Sequence, residues 1–192
     1  MILLVTSIPV DQFPADPLGI PVFSDLCPPH REAGNADFRL GGLISKWMRD
    51  GTLNPEDPIP TLFSGAGRPF PMLFITGGGA FHQESPERVI ETLGALTGAL
   101  LRARVDLFSL AVRDFRKTLT STKDAAEFIL RGIVRGYNAA MPYHDTIRLH
   151  WDEDQAELLV QELKRFRFHL AETKDWEIAR APEDVGWLGA TP

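Results

Sequence analysis

The residues of this chain that could do chemistry fall into a few short groups. Gly77, Gly78 and Gly79 follow an apolar run and precede a helix start at Ser85. Backbone amides in such a turn, with a positive helix end nearby, suit a phosphate or carboxylate. The same glycines also suit a tight turn that needs positive φ. No lysine follows them, so the spacing is neither a P-loop nor a dinucleotide fingerprint. His82 and Glu84 lie just beyond, as an exposed acid/base pair or as a polar loop. Gly41 and Gly42 open another helix, where close approach of a backbone or a ligand would explain two residues that weaken helices.

Other groupings have simpler explanations. His150, Asp152 and Asp154 alternate at a strand end in a pattern a divalent metal could use. Asp152 and Asp154 equally form the N-cap and acidic first turn of a helix, so no metal site is assigned. Cys27 stands close to His30 in a proline-bent loop, a poor setting for a nucleophile and its base. Residues 164–169, Lys-Arg-Phe-Arg-Phe-His, interleave cations with rings as single-strand binders do. On a helix they also read as a solvated basic side near its C-terminus. No catalytic residue and no cofactor is assigned.

The elements that must position these groups alternate between strand and helix, the pattern of a layered α/β domain. Strands are expected at 2–6, 18–23, 72–76, 106–112 and 146–151, with short edge strands at 61–64 and 176–179. Residues 25–35 read as loop. A first helix is expected to start at Asp37 as N-cap, carry Leu40, Leu43, Ile44, Trp47 and Met48, and stop at Gly51. Ser85 with Pro86 starts a helix striped by Val89, Leu93, Leu96 and Leu100. Ser121 with Asp124 starts another, bearing Ala126, Ile129, Ile133 and Tyr137. Asp152 caps the last, with Leu159, Leu163, Phe166 and Leu170 on its buried side.

At 192 residues, a single domain over 1–182 is expected, followed by a loose tail over 183–192. The formal charge of −6 gives no electrostatic footprint for nucleic acid, which would require a basic face, and leaves room only for local basic patches. No apolar run approaches the ~20 residues that cross a bilayer. The sole cysteine fits a reducing compartment, so a cytoplasmic location is expected.

Three stretches in order resemble the N-terminal domain of the leucyl aminopeptidase family. They are Pro21-Val22-Phe23 through Asp37-Phe38-Arg39-Leu40-Gly41-Gly42 to Gly51, then residues 72–79, then Ala125-Ala126-Glu127 to Gly136-Tyr137. The resemblance implies a three-layer α/β/α macro-domain-like fold with a mixed central sheet. It implies a non-catalytic module for oligomer assembly or binding of a partner protein, because the family's metal ligands and catalytic signature have no counterpart here. The alternative is a macro-domain-like binder or hydrolase of an ADP-ribose-type or other phosphorylated small molecule, using Gly77, Gly78, Gly79, His82, Gly41 and Gly42. Where ligand-binding macro domains carry Asn-Ala-Asn after the early strand, this chain has Phe23-Ser24-Asp25-Leu26.

Overall fold

The computed structural model describes residues 1–12, 16–64, 69–115, 118–140 and 146–182; the expected tail over 183–192 lies outside them. Seven strands form one sheet: β1 (Ile2–Thr6), β2 (Leu18–Val22), β3 (Thr61–Ser64), β4 (Met72–Gly77), β5 (Leu107–Leu110), β6 (Thr146–His150) and β7 (Glu177–Arg180). Their order is β3-β4-β2-β5-β6-β1-β7. Among the described residues only the β3–β4 pair is antiparallel, so the sheet is mixed.

Five helices cover it: α1 (Arg31–Arg39), α2 (Leu43–Arg49), α3 (Pro86–Arg102), α4 (Thr122–Asn138) and α5 (Glu153–Phe166). Side chains alternate across a strand, and the core divides accordingly. Leu73 and Ile75 of β4 pack with Ile20, Val22 and the α1–α2 residues Ala33, Ala36 and Ile44. Phe74 between them joins Leu3, Val5, Phe108 and Leu149 under the apolar stripes of α3, α4 and α5. Two apolar layers on opposite faces of one sheet make the architecture α/β/α.

The first helix departs from expectation. Residues 31–35, expected as loop, are already helical in α1, and the helix expected from Asp37 is two helices broken at Leu40, Gly41 and Gly42. Gly41 and Gly42 take φ of 67° and 81°, the left-handed region that glycine enters without steric cost. Asp37 lies inside α1 rather than at its start. Its carboxylate still caps a helix, because it accepts from the Ser45 amide in the first turn of α2 at 3.1 Å. Gly51 has the left-handed φ of 76° that ends α2.

Capping elsewhere follows the sequence signals. The Ser85 hydroxyl accepts from the Arg88 amide at 3.3 Å, and that of Ser121 from the Asp124 amide at 3.1 Å. Asp152 occupies the N-cap position of α5 but makes no capping bond. It turns to Arg113 instead. β5 stops at Leu110, short of the expected end at Val112, which instead opens the 3-10 turn Val112–Phe115.

α3 and α4 approach closely enough to need glycine. A Cβ on Gly136 would lie 2.5 Å from the Gly94 carbonyl oxygen and 2.6 Å from the Thr97 Cβ. Both neighbours are fixed, so Gly136→Ala must push the helices apart. We expect a loss of about 1–3 kcal/mol in urea denaturation, the usual cost of overpacking. A change within about 0.5 kcal/mol, as at an ordinary surface site, would contradict this packing.

Candidate ligand pocket

Topology singles out one place for a site. β2 and β5 are parallel neighbours. The chain leaves β2 for α1 on one face and leaves β5 for α4 on the other. Where adjacent parallel strands send their continuations to opposite faces, a crevice opens beyond their carboxyl ends. A cavity of about 130 Å³ lies there, between Val22, Phe23, Leu26 and Phe81 on its apolar side and Ala33 and Asp114 on the other. Phe23 meets Phe81 edge-on at 5.2 Å and Phe115 at 6.0 Å. Exposed His30 and Arg31 line its rim.

The polar part of the cavity comes from the turn after β5. Asp114 Oδ1 accepts from the Glu32 amide at 3.0 Å and Oδ2 from the Ala33 amide at 2.9 Å. These are first-turn amides of α1, whose N-cap His30 makes no side-chain bond to them. The helix is therefore capped by a carboxylate more than eighty residues away in sequence. Glu32 is buried beside it, accepting from the Val10 amide at 2.9 Å and from Arg113 Nη1 at 3.2 Å. Arg113 Nε forms an ion pair with Asp152 at 2.6 Å, off the hydrogen-bonding line. Arg31 Nη1 donates to the Arg113 carbonyl at 3.0 Å. Burial, and then the neighbouring Glu32 carboxylate, push the Asp114 carboxyl up to about 8, against the two amide bonds and Arg31.

The glycines and histidine named from sequence sit on and beyond one wall of this cavity. Each glycine amide of the triplet already has a carbonyl partner: Gly77 donates to Asp57, Gly78 to Val22 and Gly79 to Pro55, at 2.8–3.0 Å. An anion cradle would need those amides turned outward. Gly78 has a packing reason as well, since a Cβ there would lie 2.5 Å from the Phe23 ring. Gly78 and Gly79 also border a second, polar hollow of about 350 Å³ with Ser85 and Arg88.

His82 pairs with a residue the sequence did not suggest. Its Nδ1 lies 2.8 Å from Asp25 Oδ2, and the Phe81 and His82 amides donate to the same carboxylate. Burial would raise Asp25, but these bonds outweigh it and bring the carboxyl down to about 2. Glu84 turns to the Thr118 amide at 2.6 Å. Gly41 and Gly42 stand at the far end of α1, about 13 Å along the helix from the cavity by its 1.5 Å rise. The cavity lining thus includes Phe81 but not its neighbour His82, which turns to Asp25, and Gly41 and Gly42 stand away from it.

The remaining candidates have ordinary partners. Buried His150 approaches the Ile8 carbonyl through Nδ1 at 2.7 Å. Among the described residues no group of three or more His, Cys, Asp or Glu could hold a metal. Cys27 is exposed, with Sγ 3.9 Å from the Ser45 carbonyl oxygen. In the 164–169 run, the Arg167 guanidinium lies over the Phe168 ring at 4.8 Å and also donates to the Trp176 carbonyl.

No family model and no curated protein matches this chain. Solved structures do. A mutant macrodomain of Oceanobacillus iheyensis superposes with a TM-score of 0.66 at 12% identity, over 86% of this chain and 93% of that one. The Trypanosoma brucei macrodomain in complex with ADP-ribose gives 0.61 at 12% identity, over 82% and 67%. The macrodomain of Thermus aquaticus DarG gives 0.56 at 14% identity, over 78% and 97%. The fold is that of a macrodomain. The likeness to the leucyl aminopeptidase N-terminal domain is overturned by these neighbours, which are macrodomains. The motifs behind it, Leu40-Gly41-Gly42 and the Gly77 to Gly79 turn, are local solutions to a helix break and a tight strand exit. The three-layer mixed-sheet architecture stands within the macrodomain fold. No helix among the described residues is long and apolar enough to cross a membrane.

The raised Asp114 carboxyl has a consequence for stability. Folded protein keeps a proton up to about 8 that the unfolded chain releases near its ordinary value of 3.8. The state that binds more protons is then the folded one, so this group's contribution is full below about 4 and is lost as pH rises through about 8. Urea denaturation between pH 5 and 9 should show stability falling with pH, and a flatter profile in Asp114→Asn. Equal slopes in the two proteins would show that Asp114 does not hold that proton.

Proposed function

We propose that this chain is a macrodomain-type binder of a small nucleotide-like molecule of the ADP-ribose class. The observation that carries the reading is an aromatic-walled cavity at the β2/β5 crevice, with one buried acid facing it. Fold likeness alone would not suffice, because function resides in sites. Here the site adds its own support: Phe23 and Phe81 offer ring faces and edges for a planar or sugar ring, and Asp114 supplies a polar contact. Solved macrodomains in complex with ADP-ribose and with ADP give the ligand class. The alternative of an assembly module, by self-association or a partner protein, has no comparable site behind it. On this reading the protein works in the cytoplasm, in keeping with its lone cysteine, Cys27.

Size limits how such a ligand is held. Pockets that enclose a drug-sized molecule run to about 300–1,000 Å³. A cavity of about 130 Å³ seats a single ring. The rest of the molecule lies over the mouth, toward His30 and Arg31. No step of bond cleavage is assigned to these residues.

Calorimetric titration tests the proposal, using the natural chain and Leu26→Trp, which fills the half-buried wall of the cavity. ADP-ribose should give saturable heat with the natural chain. The variant should lose it while keeping its melting temperature. Absence of heat from ADP-ribose, ADP and adenosine at concentrations that would reveal a Kd of about 1 mM, or −4.1 kcal/mol, would remove the reading.

A further inference from the structure

The rim of the cavity carries an arginine that the turn it occupies does not require. Arg31 opens α1 with φ of 51°, in the left-handed region that residues with a Cβ seldom enter. Glycine or asparagine would hold that turn at lower cost. Strained backbone of this kind persists where the surroundings enforce it, and it gathers at ligand sites. What arginine adds there is its side chain. From an exposed position on the α1 side, Nη1 donates to the Arg113 carbonyl in the turn after β5 at 3.0 Å. That bond ties the guanidinium across the crevice and fixes where its planar fork of donors lies.

The surroundings leave this group to meet a negative charge. Of the described residues that line the cavity, only Arg31 and His30 can carry a positive one. Phe23, Leu26 and Phe81 would strip water from a phosphate and return no hydrogen bond. The amides of Gly77, Gly78 and Gly79 are engaged with carbonyls, so they form no cradle in place of a cation. Asp114, the acid in the cavity, keeps its proton up to about 8, so at neutral pH it does not cancel the charge beside it. We propose that Arg31 is the specificity residue of this pocket: its guanidinium takes the phosphate of a nucleotide at the mouth while the ring occupies the cavity. The inference rests on the binding reading above and adds the residue that tells a nucleotide from a nucleoside.

The test titrates the natural chain, Arg31→Asn and Arg31→Gly with adenosine, ADP, ADP-ribose and inorganic pyrophosphate, with melting curves alongside. Both replacements enter the left-handed backbone, so either serves if the other fails to fold. ADP and ADP-ribose should bind the natural chain at least about tenfold more tightly than adenosine, equivalent to ~1.4 kcal/mol. That advantage should shrink as salt rises from about 0.05 to about 0.5 M, because exposed charges are screened. In the variants adenosine should bind as before, with ADP and ADP-ribose within about threefold of it. Variants that keep the advantage, or that weaken adenosine equally, overturn the inference and leave the binding reading standing. Pyrophosphate that binds only when Arg31 is present, with adenosine and ADP-ribose silent, supports the phosphate anchor and overturns the ADP-ribose reading. Silence from all four ligands overturns both.

Discussion

The bonds from the first amides of α1 to the Asp114 carboxylate hold the carboxyl edge of this sheet together. Asp114 arrives from the turn after β5, and the amides belong to the helix after β2. Glu32, presented by the same helix turn, reaches the Val10 amide in the segment after β1. Arg113, next to Asp114, reaches Glu32 and then Asp152 after β6. Four strand exits are stitched by one short relay of charged groups. Without it, α1 would have uncapped amides facing a cavity, and the wall formed by Ala33 would lose its anchor. The Asp114 carboxyl is raised first by its burial and then by the nearby Glu32 carboxylate of the same relay.

Most strands and the long helices were legible because their signals are local. β1 spans Ile2–Thr6 as its apolar run indicates, and β3 is the edge strand read at 61–64. Ser85 and Ser121 cap the helices their spacing announces. α1 was illegible for a physical reason. Its buried face is Glu32, Ala33, Ala36 and Asp37, whose only apolar members are two alanines, too small to mark a stripe. What fixes it is a carboxylate 81–82 residues downstream, and no window of sequence contains both partners. The candidate site shares that limit. His82 was visible as a polar residue after a glycine turn, but Asp25, its partner, lies 57 residues earlier.

The glycines show how a motif can be read for the wrong cause. A run of three after a buried strand suggests amides offered to an anion. In the folded chain those amides serve the carbonyls of Asp57, Val22 and Pro55, and the missing side chains make room for Phe23 and the Pro55 backbone. The likeness to aminopeptidase N-terminal domains rested on such turns. The sheet order and layers instead match macrodomains at 12–14% identity, where side chains have largely changed and the backbone path has not. At that distance the site must be argued from its own residues, and here they are aromatic, acidic and compact.

The most direct measurement of the central claim is residue-by-residue amide chemical-shift mapping by NMR as adenosine is added. Binding in the crevice should concentrate the shifts at Phe23, Leu26, Ala33, Phe81 and Asp114, around the carboxyl ends of β2 and β5. Shifts centred on Gly79, Ser85 and Arg88, or no saturable shifts at all, would contradict it.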